Sequence, residues 1–378
     1  MDGTEEALPA LALRVPSQRT GFYNMSTSIG NTEGLGNDTL FVNYYSGSVF
    51  LTYTAVAGLI TSIGLLQNAL SLLALKHMRR PMNSFQKLII NLAFADFLLM
   101  FFCCAVCAIR LYLGVGYVNY ATMPPETRSI SCIEQIVMDI SIHLLVPPLL
   151  ATTGLVLNQF VAATRPLRFT NIVTERRIRC YIAFTYVSAV VPLVILHAVY
   201  YIIYPNADCI THMDKYFVAL EGHVGIFMML LMVLNVFIWY KLYTKIKESL
   251  SYRHDLASDP QDHEQAKLNV TVAILLVTIF VCWVPGVVTA FIYFGFDVSH
   301  TKRPESSDAV AMVTNILFIF NSLADPIIYG LRIRDVRHGY VRLYQRISDI
   351  FCSSGRLAKA DSRHHISCNH NHNTGTPV

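Results

Sequence analysis

The chain has 378 residues, 53% of them hydrophobic and only 14% charged, with a formal net charge of +4. Soluble domains carry about a quarter charged residues, so the composition excludes a protein wetted on every side and, equally, a disordered polar chain. Apolar runs of about twenty residues, enough to cross some 30 Å of hydrocarbon as helix, are the feature to look for.

Met1 to about Ser48 is polar and rich in Gly, Asn, Ser and Thr, as expected of a disordered tail. Its first twenty residues lack a basic leader and a sustained apolar core, so they do not read as a cleavable signal peptide. Val49–Leu75 then runs without one Asp, Glu, Lys or Arg, and Leu88–Ile109 holds only Asp96. Five further stretches follow at about Ser131–Ala163, Cys180–Tyr204, Tyr216–Tyr240, Leu268–Phe296 and Ala309–Leu331. Charged or Pro- and Gly-containing connectors separate them. The expected fold is an all-α membrane protein, a seven-transmembrane helix bundle over 49–331. Arg332 to Ile350 alternates basic and apolar residues like a short helix lying on the membrane surface, placed at 332–351. Cys352 at its end is a candidate palmitoylation site, and 352–378 reads as a second polar tail.

Basic residues near a span stay on the cytoplasmic side. The first, third and fifth connectors hold groups such as Lys76, Arg79 and Arg80, then Arg165, Arg168 and Arg176, then Lys241, Lys245 and Lys247. The alternate connectors are poorer, with Arg110 and Arg128 in one and Lys215 in the next. The N-terminus is thus expected outside the cell, and the protein in the plasma membrane. Two N-glycosylation tripeptides, beginning at Asn24 and Asn37, lie in the tail this topology exposes.

Span one contains Asn68, span two Asn91-Leu92-Ala93-Phe94-Ala95-Asp96, span six Cys282-Trp283-Val284-Pro285, and span seven Asn321-Ser322-Leu323-Ala324-Asp325-Pro326-Ile327-Ile328-Tyr329. Their order and spacing resemble the rhodopsin-like G-protein-coupled receptors over about Val49–Phe351. The resemblance implies a receptor whose partners are an extracellular ligand, a heterotrimeric G protein and the lipid bilayer, with no nucleic acid. It implies a sodium ion held by Asp96 with Asn321, Ser322 and Asp325. The residues themselves leave two other readings, a hydrogen-bonded polar cluster without an ion, or a proton shared between the two carboxyls. Pro285 and Pro326 each free a backbone carbonyl and bend their helices. Trp283 resembles the residue at the pocket floor, and Tyr329 the one that swings inward on activation.

Asn158-Gln159-Phe160 resembles the end of span three, with Gln159 where the family has the arginine that locks the resting state and contacts the G protein. Its charge-assisted bonds are then unavailable. Cys132 and Cys209 match the family's extracellular disulfide pair.

For the ligand, Gln135, Asp139, Ile142 and His143 fall on one face descending from Cys132. Counted from Cys132, Asp139 stands where amine receptors place the carboxylate that pairs with an ammonium; counted back from Gln159, it misses that position by two residues. A bulge at Pro147-Pro148 would reconcile the counts. Gly286, Val287 and Ile319 depart from the aromatic residues of amine receptors, while Glu221 and His223 on span five extend the candidates to a cationic peptide or another small polar ligand. A transporter or ion-pathway protein is the alternative, since seven spans with intramembrane carboxylates suit one. The sequence has no nucleophile motif or H-E-x-x-H spacing to suggest an enzyme. The tail's His364, His365, His370 and His372 admit a metal or a flexible polar tail.

Overall fold

The computed structural model describes residues 47–78, 81–113, 125–203, 209–253, 260–298 and 305–359, all within one compact unit, Val42–Val378. Seven helical segments are long and apolar enough to cross a membrane. The helices are α1 (Gly47–Lys76), α2 (Ser84–Leu113), α3 (Pro125–His143), α4 (Val146–Thr164), α5 (Phe169–Ile172), α6 (Glu175–Ile203), α7 (Cys209–Arg253), α8 (Pro260–Val298), α9 (Glu305–Arg332) and α10 (Arg334–Lys359). The first two spans fall on α1 and α2, the third on α3 and α4 together, and the rest on α6 to α9.

Burial orders the bundle. In the most apolar window of each span, 78% of the third is buried against 11% of the fourth, so α3 and α4 form the centre while α6 lies at the rim. Rim helices turn large apolar side chains outward, among them Val194 and Ile195 on α6 and Val233 and Phe237 on α7. In water such a surface would aggregate; against hydrocarbon it is solvated. Inside, Leu88, Leu92, Leu155, Leu275 and Tyr329 pack at the basic end, and Leu149, Met228, Ile279 and Trp283 toward the opposite end.

The third span is two helices. Pro147 and Pro148 have no N–H to offer the carbonyls of His143 and Leu144 four residues back, so the ladder stops there. Leu144 still donates to the Ile140 carbonyl, but Leu145 donates to Ile142, a tighter turn, before α4 begins at Val146.

Most helices extend beyond the sequence-based bounds, and two of the extensions matter for the site. α2 continues through Arg110 to Leu113, which puts Arg110 on a span rather than in a connector. α7 is 45 residues, about 67 Å of helix, longer than the hydrocarbon layer, and its apolar span is Gly222–Lys245.

α10 is longer than the 332–351 expected, and Cys352 lies within the helix, its side chain outside the described residues. Its inner face is anchored: Tyr340 and Ser71 hydroxyls are 2.6 Å apart, Gln86 Nε2 donates to Asp335 Oδ2 at 2.7 Å, and Arg342 donates to the His77 carbonyl. Burial pushes the Tyr340 phenol above its usual value, so it stays a neutral hydroxyl. Gly339 allows the close approach, because a Cβ there would meet the Ala74 carbonyl oxygen at 2.5 Å.

Candidate functional site

At the end of the bundle opposite the basic connectors, α1, α2, α3, α7, α8 and α9 surround a cavity of about 250 Å³. Its wall on the third span is Met138, Ser141, Ile142 and Leu145, the three- and four-residue spacing of one helical face. Opposite stand Gly286, Val287, Phe318 and Ile319. Phe318 meets the buried Trp283 edge to face, 5.4 Å between centroids at 81°, so Trp283 supports the wall from behind. A Cβ on Gly286 would stand 2.2 Å from two atoms of the Phe318 ring; only glycine admits the ring in this position. A wider groove of about 530 Å³ between α7 and α8 is lined by aliphatic and aromatic side chains, including the outward-facing Val233 and Val284, and suits hydrocarbon contact.

Asp139 does not line the cavity. It lies a helical step of about 100° past Met138 and is turned to α6, where its Oδ2 is 3.7 Å from His197 Nε2. Gln135 Nε2 donates to Asp139 Oδ1 at 3.3 Å, and His143 Nδ1 is 2.9 Å from the Asp139 carbonyl oxygen. His143 also faces the exposed His223, with ring centroids 6.4 Å apart. Gln135, Asp139 and His143 therefore form one stripe, as their spacing predicts, but the stripe meets α6 and α7 instead of the cavity. Of that face only Ile142 reaches the wall. The side chain of Glu221 lies outside the described residues.

The wall carries a charge that the sequence count had assigned to a connector. Arg110 Nε donates to Glu134 Oε1 at 2.6 Å, and both side chains are largely buried. Its Nη2 donates to the Met138 sulfur at 3.1 Å, and its guanidinium stands over the Phe50 ring at 5.6 Å. Glu134 is not part of the wall. Among the described lining residues there is no carboxylate.

Below the cavity sits a second, smaller polar region. Asn68, Asp96, Asn321, Ser322 and Asp325 are each 0% exposed. Asn68 Nδ2 bridges the carbonyls of Gly64 and Ser322, and Asn321 Nδ2 reaches Asp325 Oδ2 at 3.4 Å. Both Asp96 oxygens, Asp325 Oδ1, Asn321 Oδ1 and Ser322 Oγ are buried here with no hydrogen bond of good geometry, while the Ser322 hydroxyl and the Asp325 carboxyl still interact with Asp96. Such an oxygen-rich cluster fits a sodium ion and equally fits a proton shared between the two carboxyls.

At the basic end, Asn158 accepts from Ser84 Oγ at 2.8 Å. Gln159 is 1% exposed, and Phe160 packs on the adjoining core. Pro285 lies inside α8, where the Thr289 hydroxyl donates to its carbonyl at 2.8 Å, and Pro326 is buried inside α9. Tyr329 is fully buried, its hydroxyl near that of Ser71. Cys132 is in a disulfide; the side chain of Cys209 lies outside the described residues, as do Asn24, Asn37 and the histidine-bearing tail.

The profile of the 7 transmembrane receptor (rhodopsin family) matches residues 67–329, more than two thirds of the chain. The chain belongs to the rhodopsin family of seven-transmembrane receptors. It is accordingly a multi-pass membrane protein, and the helical bundle is a receptor fold. No curated protein matches the chain closely enough to add to this.

Against this family frame, the residues missed by sequence reasoning are Arg110, Glu134, Ser141 and Phe318. Arg110 and Glu134 are 24 positions apart on two helices, and an arginine directly after the apolar run ending at Ile109 was the one available signal. Ser141 was reachable by counting back from Gln159. Phe318 is visible only through its contact with Gly286.

Proposed function

We infer that this rhodopsin-family receptor sits in the plasma membrane with its N-terminus outside and conveys ligand occupancy of the cavity to a heterotrimeric G protein at the basic end. The observation that supports the reading is a cavity at the end opposite the basic connectors, walled by Phe318 against the buried Trp283, on helices α8 and α9 that each carry an internal proline. A ligand that fits the cavity better in one helix arrangement shifts the population toward it, and only that difference in affinity does work. The bends at Pro285 and Pro326 are where α8 and α9 can move, with Tyr329 carried on the moving segment.

Asp96, Asn321, Ser322 and Asp325 would hold a sodium ion, which supplies positive charge to two buried carboxyls and ties α2 to α9. Cys132 and Cys209 pair outside, Asn24 and Asn37 carry glycans, and Cys352 carries a palmitoyl chain. Gln159, unlike arginine, brings no charge to the inner face, so coupling through Asn158, Gln159 and Phe160 rests on packing and neutral hydrogen bonds.

The test is a cell-surface assay with a different epitope tag at each end, combined with basal second-messenger readout. The N-terminal tag should be accessible in intact cells and the C-terminal tag only after permeabilisation. Both tags accessible from one side, or no G-protein response in a panel of chimeric G proteins under any condition, would remove the reading.

A further inference from the structure

The cavity's polarity selects its ligand. Arg110 is the wall's only charged side chain among the described residues, and the described residues across the cavity from it include no carboxylate. Its counter-ion, Glu134, engages Nε from outside the wall and fixes the plane of the guanidinium. Nη2 donates to the thioether of Met138, a weak acceptor. An oxygen anion entering the cavity would exchange that bond for a charge-assisted one, shorter and about twice as strong as a neutral bond.

The hydroxyls nearby add no competing positive site. Ser141, Thr54, Thr289 and Thr314 each donate to a carbonyl of their own helix, at 2.7–3.0 Å. Tyr53 and Asn315 are hydrogen-bonded to each other, and the remainder of the wall is apolar or sulfur-bearing or glycine, as at Leu99, Val106, Cys107 and Phe318. At about 250 Å³ the space lies below the usual range of roughly 300–1,000 Å³ for ligand pockets. An ammonium ligand would find no carboxylate among the described lining residues, with Asp139 pointed at His197.

We propose that the cavity takes a small lipophilic monocarboxylate, its carboxylate held by Arg110 and its apolar body lying against Phe318 and Ile319. The inference rests on the reading of this cavity as the ligand site.

The test uses the purified full-length receptor and three probes of one shape: 4-phenylbutyrate, 4-phenylbutylamine and 4-phenylbutanol. The carboxylate should raise the thermal midpoint, and the amine and alcohol should not. Arg110→Gln should weaken the carboxylate's apparent affinity about tenfold or more, the loss of one charged hydrogen bond. Because that variant strands Glu134, the neutral double variant Arg110→Gln with Glu134→Gln is measured beside it and should show the same loss while folding normally. Glu134→Gln alone should strengthen carboxylate binding by removing the competing anion; a purely structural pair would predict weakening.

Stabilisation by the amine, no stabilisation by the carboxylate, or a carboxylate effect that survives in the double variant overturns the proposal. Ala290→Phe, which fills the cavity, separates the two readings. If it abolishes carboxylate binding while the double variant does not, the cavity stands and its ligand class falls. If carboxylate stabilisation persists with the cavity filled, the cavity itself is not the ligand site.

Discussion

Gly286→Ala tests the contact on which the cavity wall depends. The added methyl would lie 2.2 Å from Cε2 and Cζ of Phe318, and the ring must retreat about 1.2 Å to reach the 3.4 Å of ordinary contact. Behind the ring stands Trp283, edge to face at 5.4 Å, and in front of it the cavity. Pushing against Trp283 costs the 1–3 kcal/mol typical of an overpacked core. Losing the aromatic geometry adds about 0.5–1.5 kcal/mol. A total near 2–4 kcal/mol is expected unless the ring moves into the cavity, in which case the cost appears as lost ligand affinity, about tenfold for each 1.4 kcal/mol. The assay is tryptophan emission in a Trp239→Phe background, which leaves Trp283 as the single tryptophan, together with the thermal midpoint. Gly286→Ala should shift the Trp283 emission and lower the midpoint, and adding Phe318→Ala should recover much of the loss, a coupling visible in a double-mutant cycle. Strict additivity of the two substitutions, or an unchanged Trp283 spectrum, would refute the argument.

Asp96→Asn should abolish the dependence of thermal stability on sodium. At ten times its dissociation constant the ion stabilises the native receptor by about 1.4 kcal/mol, so replacing sodium with N-methylglucamine should lower the midpoint of the unsubstituted protein and leave the variant unchanged. Equal sodium responses in both would remove the ion from this cluster. Gly339→Ala drives a Cβ to 2.5 Å from the Ala74 carbonyl oxygen, a backbone atom that cannot rotate away; amide exchange across α10 should rise, with protection unchanged in α2. Asp139→Asn should lower stability through its contacts with Gln135 and His197 but change the affinity of a cavity ligand less than about twofold, the behaviour of an independent site. A tenfold affinity loss would put Asp139 back on the ligand.

The bundle was legible because hydrocarbon imposes a length on every helix that crosses it, and a run such as Val49–Leu75 has no other stable use. The polar cluster was legible in two steps: Asp96 can survive in lipid only by facing inward to polar partners, and the resemblance to the rhodopsin-like receptors then named Asn321, Ser322 and Asp325 as those partners. Side-chain direction at the cavity was not. Whether Met138 or Asp139 faces the centre depends on about 100° of helix rotation, and no periodicity resolves that where polar residues occupy two neighbouring faces. Arg110 was counted among the connector charges because a basic residue at the end of an apolar run marks either a membrane boundary or a buried pair. Only the position of Glu134 across the gap between helices decides which.

The disagreement between the two ways of counting along the third span has a structural cause. Two residues inserted into a continuous helix would turn everything beyond them by about 200°, burying the wrong face against α7 and α8. Leu144 and Leu145 form a turn between the two helices, and Pro147 and Pro148 cannot close the ladder across it. α4 therefore keeps the rotation that buries Leu149, Leu155 and Asn158, while α3 above the turn is set independently. That freedom brings Ser141 to the cavity and sends Asp139 to α6. Counting from Cys132 to Asp139 stays within α3 and counting from Gln159 to Ser141 crosses the turn, yet it is Ser141 that lines the cavity: the spacing Met138, Ser141, Ile142, Leu145 keeps one face through the break. A chain with this break can change what its outer half presents to a ligand without disturbing the packing on which the inner half depends.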